Sequence, residues 1–381
     1  MSTNSHVQMP LLEPEVLVPL PTDCGHYVAV LQNKPGELDA LRHASGNAWD
    51  RMTPLLEFVG PVKAPKSITA SSIDGWVKRA HAALGTRPTY LDILRLAPST
   101  PVGGKTNGSR VLEEIYANAR KRKMRFVPVL PVEEATEAHL EMVRASVLAD
   151  GHGAGLRYRI LKVLPPSGVS RQAVLRAQLD GLELEAANCD LLIDLEYIDE
   201  DQEIDAATLA GQLEEMFRMG TWRSVVLLGT SIPKMMTVVK QGSVGTIPRR
   251  EWDLWLRLRE HGLERMPAFG DYAVQHPHPP HGGGGNTGRA NIRYTTDHET
   301  VVARGFGLAS QGGPEQYRDL CQQLVGRQEF AGRDYSWGDE TIEDCADEVI
   351  EPGSRNAWRG AGTSHHMQVV TDELWQLSTM S

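Results

Sequence analysis

The chain has 381 residues, 41% of them hydrophobic and 23% charged, values of an ordinary globular protein with material for a large core. One large domain or two ordinary ones would fit that length. Its formal charge of −10 argues against wholesale wrapping of nucleic acid, which rests on phosphate neutralisation, though a local basic groove is still allowed.

Residues 1–25 carry several prolines and little periodicity, and read as a loose N-terminal arm. Eight short apolar segments follow: Tyr27–Leu31, Thr53–Val59, Thr89–Arg95, Arg125–Leu130, Leu156–Ile160, Asp190–Glu196, Ser224–Thr230 and Pro267–Ala273. Their starts lie 26 to 43 residues apart, the room that a strand, a crossover helix and two loops need. Amphipathic stretches fill the gaps and predict helices near 37–48, 73–84, 111–121, 135–149, 171–187, 206–219 and 250–261. The fourth strand is the weakest, because Pro128 removes a ladder donor from its middle. These units predict an α/β fold, a (β/α)8 TIM-type barrel over residues 26–330, with chemistry expected at the C-terminal strand ends.

Beyond the eighth strand the pattern changes. His276, His278 and His281 punctuate a proline- and glycine-rich stretch that would lie as a loop at the barrel mouth. Such a composition suits metal binding, but a flexible loop makes a poorly organised site. Asn291–Thr296 and Glu299–Arg304 alternate at period two around Asp297 and His298, a β-hairpin insertion within 290–305. A helix near 314–326 would serve as the eighth barrel helix, and residues 331–381 would form a C-terminal helical cap packed on the barrel. Within that cap an acidic helix is expected near 340–348. Gly360–Ser364 reads as a loop feeding a last helix, with Thr363 or Ser364 as its N-cap.

The runs Gly270–Tyr272, Ile292–Thr295, Ala303–Gly305, Tyr335–Asp339, Trp358–Arg359 and His365–His366 together resemble the beta protein family of bacteriophages, prophages and bacterial mobile or defence-like loci. The resemblance runs from Tyr27 to about Val370. It implies a barrel fold and a setting of phage–host conflict, defence or counter-defence, without naming a reaction.

Candidate site residues come from strand alternation, since residues two apart share a face. Leu192, Asp194 and Glu196 share one face of the sixth strand, and Ile193, Leu195 and Tyr197 the other. Two carboxylates therefore point inward or upward if the second set meets the helices. Glu57, Asp92 and Asp271 sit on the second, third and eighth strands, and Arg157 and Arg159 share a face of the fifth. Asp194, Glu196 and Asp271 could hold Mg or Mn, hard cations that prefer oxygen ligands. Arg157, Arg159, Arg293 and Tyr294 would bind substrate, the arginines clamping a phosphate. His365 or His366 would act as general acid or base, completing a metal-assisted phosphoester hydrolase directed at nucleic acid or nucleotide.

Each of these has a structural alternative. The arginines could pair with Asp92, Asp194 and Glu196 as a buried ion network. Asp271 could cap a following turn, and Arg293 and Arg304 could bridge the hairpin to tail acids such as Asp339. Trp337 and Trp358 fit apolar anchors for the tail better than ligand platforms. Pro101–Gly108 has only a faint phosphate-loop character, and the Lys121–Arg125 cluster suits a solvated helix end. The competing function is a non-catalytic barrel that binds a phage or host protein or nucleic acid as sensor or inhibitor. Cys24, Cys189, Cys321 and Cys345 lie too far apart for a zinc knuckle or a disulfide framework. Without a membrane-length apolar run or a secretory start, a cytoplasmic protein and no membrane contact are expected.

Overall fold

A computed structural model describes residues 24–59, 69–93, 101–102, 105–106, 108–161, 169–278, 288–309 and 312–379. All eight expected strands are present: Tyr27–Gln32, Met52–Glu57, Thr89–Asp92, Phe126–Pro131, Ala154–Tyr158, Cys189–Tyr197, Ser224–Thr230 and Ala268–Asp271. They pair in parallel, in chain order, and the eighth closes on the first through Tyr27↔Phe269, giving a TIM-type barrel. Of the expected N-terminal arm only Cys24 and Gly25 are described. His281, with the rest of 279–285, and Gly103, Gly104 and Asn107 also fall outside the described residues, while Pro101–Val102 and Lys105–Thr106 pair as two short antiparallel strands.

Period-two alternation sorts the strands' side chains into two cores. Val28, Leu55, Tyr90, Val129, Leu192 and Leu228 fill the barrel interior. Ala29, Leu56, Leu91, Leu130, Ile193 and Leu227 face the helices instead. Each fully buried aliphatic side chain contributes about 1.5–3 kcal/mol relative to exposure. The crossover helices start where the sequence supplies caps: Thr69, Ser170 and Asp205 each accept a backbone N–H from the first turn. Pro128 is tolerated because pairing to the third strand ends at Leu91↔Pro128, and pairing to the fifth begins only at Val129↔Gly155.

The hairpin forms from Arg289–Thr295 and Glu299–Gly307. Ser243–Pro248, which no sequence signal marked, adds a third antiparallel strand against Glu299–Gly307. Arg249 fastens this lid, donating to the carbonyls of Thr296 and Asp297 and forming a bidentate pair with Glu373.

The eighth barrel helix is not where the sequence suggested. Gln316–Val325 packs Tyr317, Leu320, Cys321 and Leu324 against the lid and tail, away from the barrel. Its place in the ring is taken by Arg355–Thr379, which sends Met367, Val370 and Leu374 into the outer barrel core. Gly360–Ser364 lies inside that helix rather than before it. Each glycine there costs about 1 kcal/mol of helix propensity, and the cost is offset by close approach on three sides. A side chain at Gly360 would meet the Gly36 carbonyl at 2.8 Å, one at Gly362 would meet the Arg293 carbonyl at 2.6 Å, and Gly338 lies against Ala361. The acidic tail helix spans Trp337–Ala346, capped by Ser336.

Candidate functional site

The C-terminal ends of the strands carry a polar layer, as a barrel requires of any site. Gln32, Glu57 and Asp92 end the first three strands in register, Gln32↔Glu57 and Glu57↔Asp92. Arg157 rises from the fifth strand into their midst, fully surrounded. Its Nε donates to Asp194 Oδ2 at 2.9 Å, its Nη1 to Glu57 Oε1 at 2.9 Å and to Asp92, and its Nη2 to the Tyr272 hydroxyl at 2.6 Å. Tyr272 in turn donates to Asp194 Oδ2 at 2.6 Å. Arg157, Glu57 and Asp92 are each 2% exposed, and Asp194 1%. Burial alone would push the Arg157 guanidinium down; Tyr272, Asp194, Asp92 and Glu57 outweigh it and hold the group well above its ordinary value. Burial also raises the Tyr272 phenol. This is the ion-network alternative for Arg157, not a phosphate clamp.

Asp194, Glu196 and Asp271, expected to share a metal, lie in three different networks. Asp194 has one oxygen on Arg157 and Tyr272, and the other accepts the Glu196 N–H at 2.8 Å. Glu196 escapes the strand alternation because the pairing shifts register between Asp194 and Tyr197 and its φ is +53°. Its carboxylate meets His278 Nε2 at 2.9 Å and Arg159 at 3.9 Å, while Arg159 also pairs with Glu134 at 2.7 Å. Asp271 accepts the Tyr27 hydroxyl at 2.5 Å and the Ala273 N–H at 2.8 Å, capping the turn after the eighth strand, and its second oxygen meets His366 Nε2 at 2.8 Å. Carboxylates so engaged do not fit a hard cation's need for several free oxygens. Among the described residues no group of three or more His, Cys, Asp or Glu side chains could hold a metal ion. His276 and His278 come no closer than 6.2 Å between ring centres.

The two adjacent histidines point to different neighbours, and His365 also lines a cavity of about 580 Å3 with Thr295, Tyr335 and Glu373. His366 spans Asp271 and the Thr295 hydroxyl. His365 spans Asp339 and the Thr295 carbonyl, and stacks on Tyr294 at 3.7 Å. Asp339 is thus held by His365, Ser336 and the Tyr294 hydroxyl rather than by Arg293 or Arg304. Arg304 instead donates to the Val239 carbonyl. Tyr294, expected to bind substrate, lies buried in the lid core. Trp358 stacks on Tyr317 and Trp337 on His43, both anchoring the tail.

Arg293, among the expected substrate residues, faces a cavity. It points the opposite way from Tyr294, as strand alternation requires, and donates to the Val274 carbonyl just past the eighth strand. The cavity, about 40 Å3, is lined by Val274, Asn291, Arg293, Tyr317, Arg355 and Arg359 among others. Burial, then Arg359 and Arg355, push the Arg293 guanidinium down to about 9. Arg355 and Arg359 were missed. They stand four apart at the start of a helix and so share a face, a signal hidden because the segment read as loop.

Among curated proteins none matches the chain. A GH18 chitinase from Pseudoalteromonas aurantia is similar at 9% identity and a TM-score of 0.35, over 54% of this chain and 94% of that one, a likeness that speaks to neither activity nor substrate. Residues 27–372 match the model of the Beta protein family, and with nearly its whole length covered the chain belongs to that family.

Proposed function

We propose that the protein acts by recognition: a rigid barrel that binds a phage or host component in phage–host conflict, without metal-assisted hydrolysis. The setting rests on the family resemblance. The mode of action rests on one observation, the enclosure of Asp194 by Arg157, Tyr272 and the Glu196 amide at the end of the barrel where a reacting carboxylate would need to be open. Removing that enclosure to admit a cation would leave Arg157 facing a second positive charge, an arrangement that costs more than it returns. The hydrolase reading needs Asp194, Glu196 and Asp271 on one ion, and their present partners oppose it.

The test is a search for turnover. The purified chain is incubated with a phosphodiester reporter and with single-stranded DNA, with and without Mg or Mn, beside Asp194→Asn. We expect no cleavage above background with either metal and no midpoint shift specific to a divalent cation. Metal-dependent cleavage that disappears in Asp194→Asn would overturn the recognition reading.

A further inference from the structure

We propose that the cavity between the turn after the eighth strand, the lid strand and the first turn of the last helix binds the terminal phosphate of a phosphomonoester. Its ligands would be Arg293, Arg355 and Arg359. This deepens the recognition reading by naming what the barrel rim recognises.

Three observations carry it. First, the cations converge without matching acids. Arg355 has no carboxylate partner among the described residues, and Arg359 has only Glu37, at 4.0 Å. The Arg293 Nε is sealed from solvent and has no hydrogen-bond partner, although its Nη1 is held by the Val274 carbonyl. Such a donor is expensive to leave unmet, and an anion would meet it. Among the described residues Glu37 is the acid that pairs with this cluster, through Arg359. Burial raises its carboxyl group, against the pull of Arg359 and Lys34; its Oε2 accepts the Gln32 backbone N–H, and its Oε1, sealed from solvent without a hydrogen-bond partner, lies 4.0 Å from Arg359.

Second, the geometry suits a tetrahedral group. A carboxylate is satisfied by one guanidinium fork lying in its plane. Here the forks arrive from a strand and from two successive turns of a helix, so several oxygens in different planes are called for. About 40 Å3 of space holds roughly three waters at 10–15 Å3 each. That is room for one phosphate group, with the remainder of the ligand outside.

Third, the backbone makes space for the arginines. A methyl at Gly288 would overlap the Arg355 guanidinium, so the bare glycine is what lets that side chain lie across the cavity edge. Asn291 and Tyr317 add polar groups to the wall. The position at the eighth strand's C-terminal end is one where barrels bind ligands.

The phosphomonoester could belong to a free nucleotide or to the 5′ end of a nucleic acid, and the test separates them. Calorimetry and thermal shift on the full chain, at matched ionic strength, would use inorganic phosphate, AMP, a 5′-phosphorylated oligothymidylate, the same oligonucleotide with a 5′-hydroxyl, and acetate. We expect phosphate and at least one phosphomonoester to bind and to raise Tm, and acetate and the 5′-hydroxyl strand to do neither. Arg355→Ala and Arg359→Ala should each weaken binding at least about tenfold. Gly288→Ala should also weaken it, with every charge retained. Arg355 is exposed, so its alanine variant should keep the parent's circular dichroism. Absence of binding by phosphate and both phosphomonoesters at millimolar concentration overturns the proposal, as does equal affinity in Arg355→Ala and Arg359→Ala. Metal-dependent release of phosphate from AMP would overturn the recognition reading and leave this site standing. Failure of all anions to bind would remove the site and leave recognition of another ligand intact.

Discussion

Replacing Arg157 by methionine removes the cation shared by Glu57, Asp92 and Asp194 while keeping an unbranched side chain in its place. Breaking a buried pair by deleting one partner costs about 3–5 kcal/mol, because the charge left behind is neither solvated nor paired. At roughly 2.1 cal/mol/K of unfolding entropy per residue, the 381-residue chain carries about 0.8 kcal/mol/K. The expected fall in Tm is therefore about 4–6 °C. Denaturant unfolding monitored by tryptophan fluorescence and by far-UV circular dichroism gives the free energy, provided the two transitions coincide. The mechanism also predicts rescue. Adding Glu57→Gln, Asp92→Asn and Asp194→Asn to Arg157→Met removes the stranded charges and should recover more than half of the loss. A deficit below about 1 kcal/mol for Arg157→Met, or a quadruple variant less stable than the single one, would refute the ion-network account.

At the opposite end of the barrel, Asp190 accepts a bidentate pair from Arg223 and the Ser224 hydroxyl. Asp190→Ala should cost about 3–5 kcal/mol in denaturant unfolding yet leave binding of phosphomonoesters unchanged in calorimetry. His366→Ala leaves Asp271 and Thr295 short of a buried partner and should lose about 2–4 kcal/mol by the same measurement. Burial raises the Glu251 carboxyl group, with Ser231 partly opposing it. Its folded form therefore holds a proton to higher pH than the unfolded chain, and stability associated with it falls as pH rises from about 4.3 through the folded value. Glu251→Gln keeps an acceptor for Ser231 and should gain in Tm relative to the parent between pH 4.5 and 7.5; a parallel pH profile would refute the assignment.

The barrel was legible because its strands are short apolar runs recurring at helix-length spacing, and the alternation of their side chains fixes register. The inward face of the sixth strand could be read as far as Asp194, beyond which the left-handed backbone at Glu196 breaks the period and sends that carboxylate to His278. The eighth helix could not be placed by amphipathicity, since 314–326 is a sound helix and its pattern does not say which core it faces. Gly360–Ser364 misled for a related reason. A glycine's cost in a helix is local and visible, whereas its reward, the contact with Gly36, is 324 positions away in the chain. With that helix hidden, so was the spacing of Arg355 and Arg359. Asp194 and Asp271 stand out in the sequence as acids at strand tips, which suggested metal ligands. Their partners Arg157, Tyr272, Tyr27 and His366 come from other strands and from the last helix, and no local pattern announces which acids will be sealed.

The helix that completes the ring lies at Arg355–Thr379, more than eighty residues after the last barrel strand. During synthesis the first strand and the helix that follows it therefore emerge long before part of their covering, and Leu38 and Leu41 stay incompletely packed until Met367, Val370 and Leu374 leave the ribosome. A chain released early, at residue 354, would carry all eight strands and still expose an oily seam to neighbouring chains, the condition that favours aggregation and chaperone capture. Premature stop codons late in the reading frame should thus be as damaging as early ones.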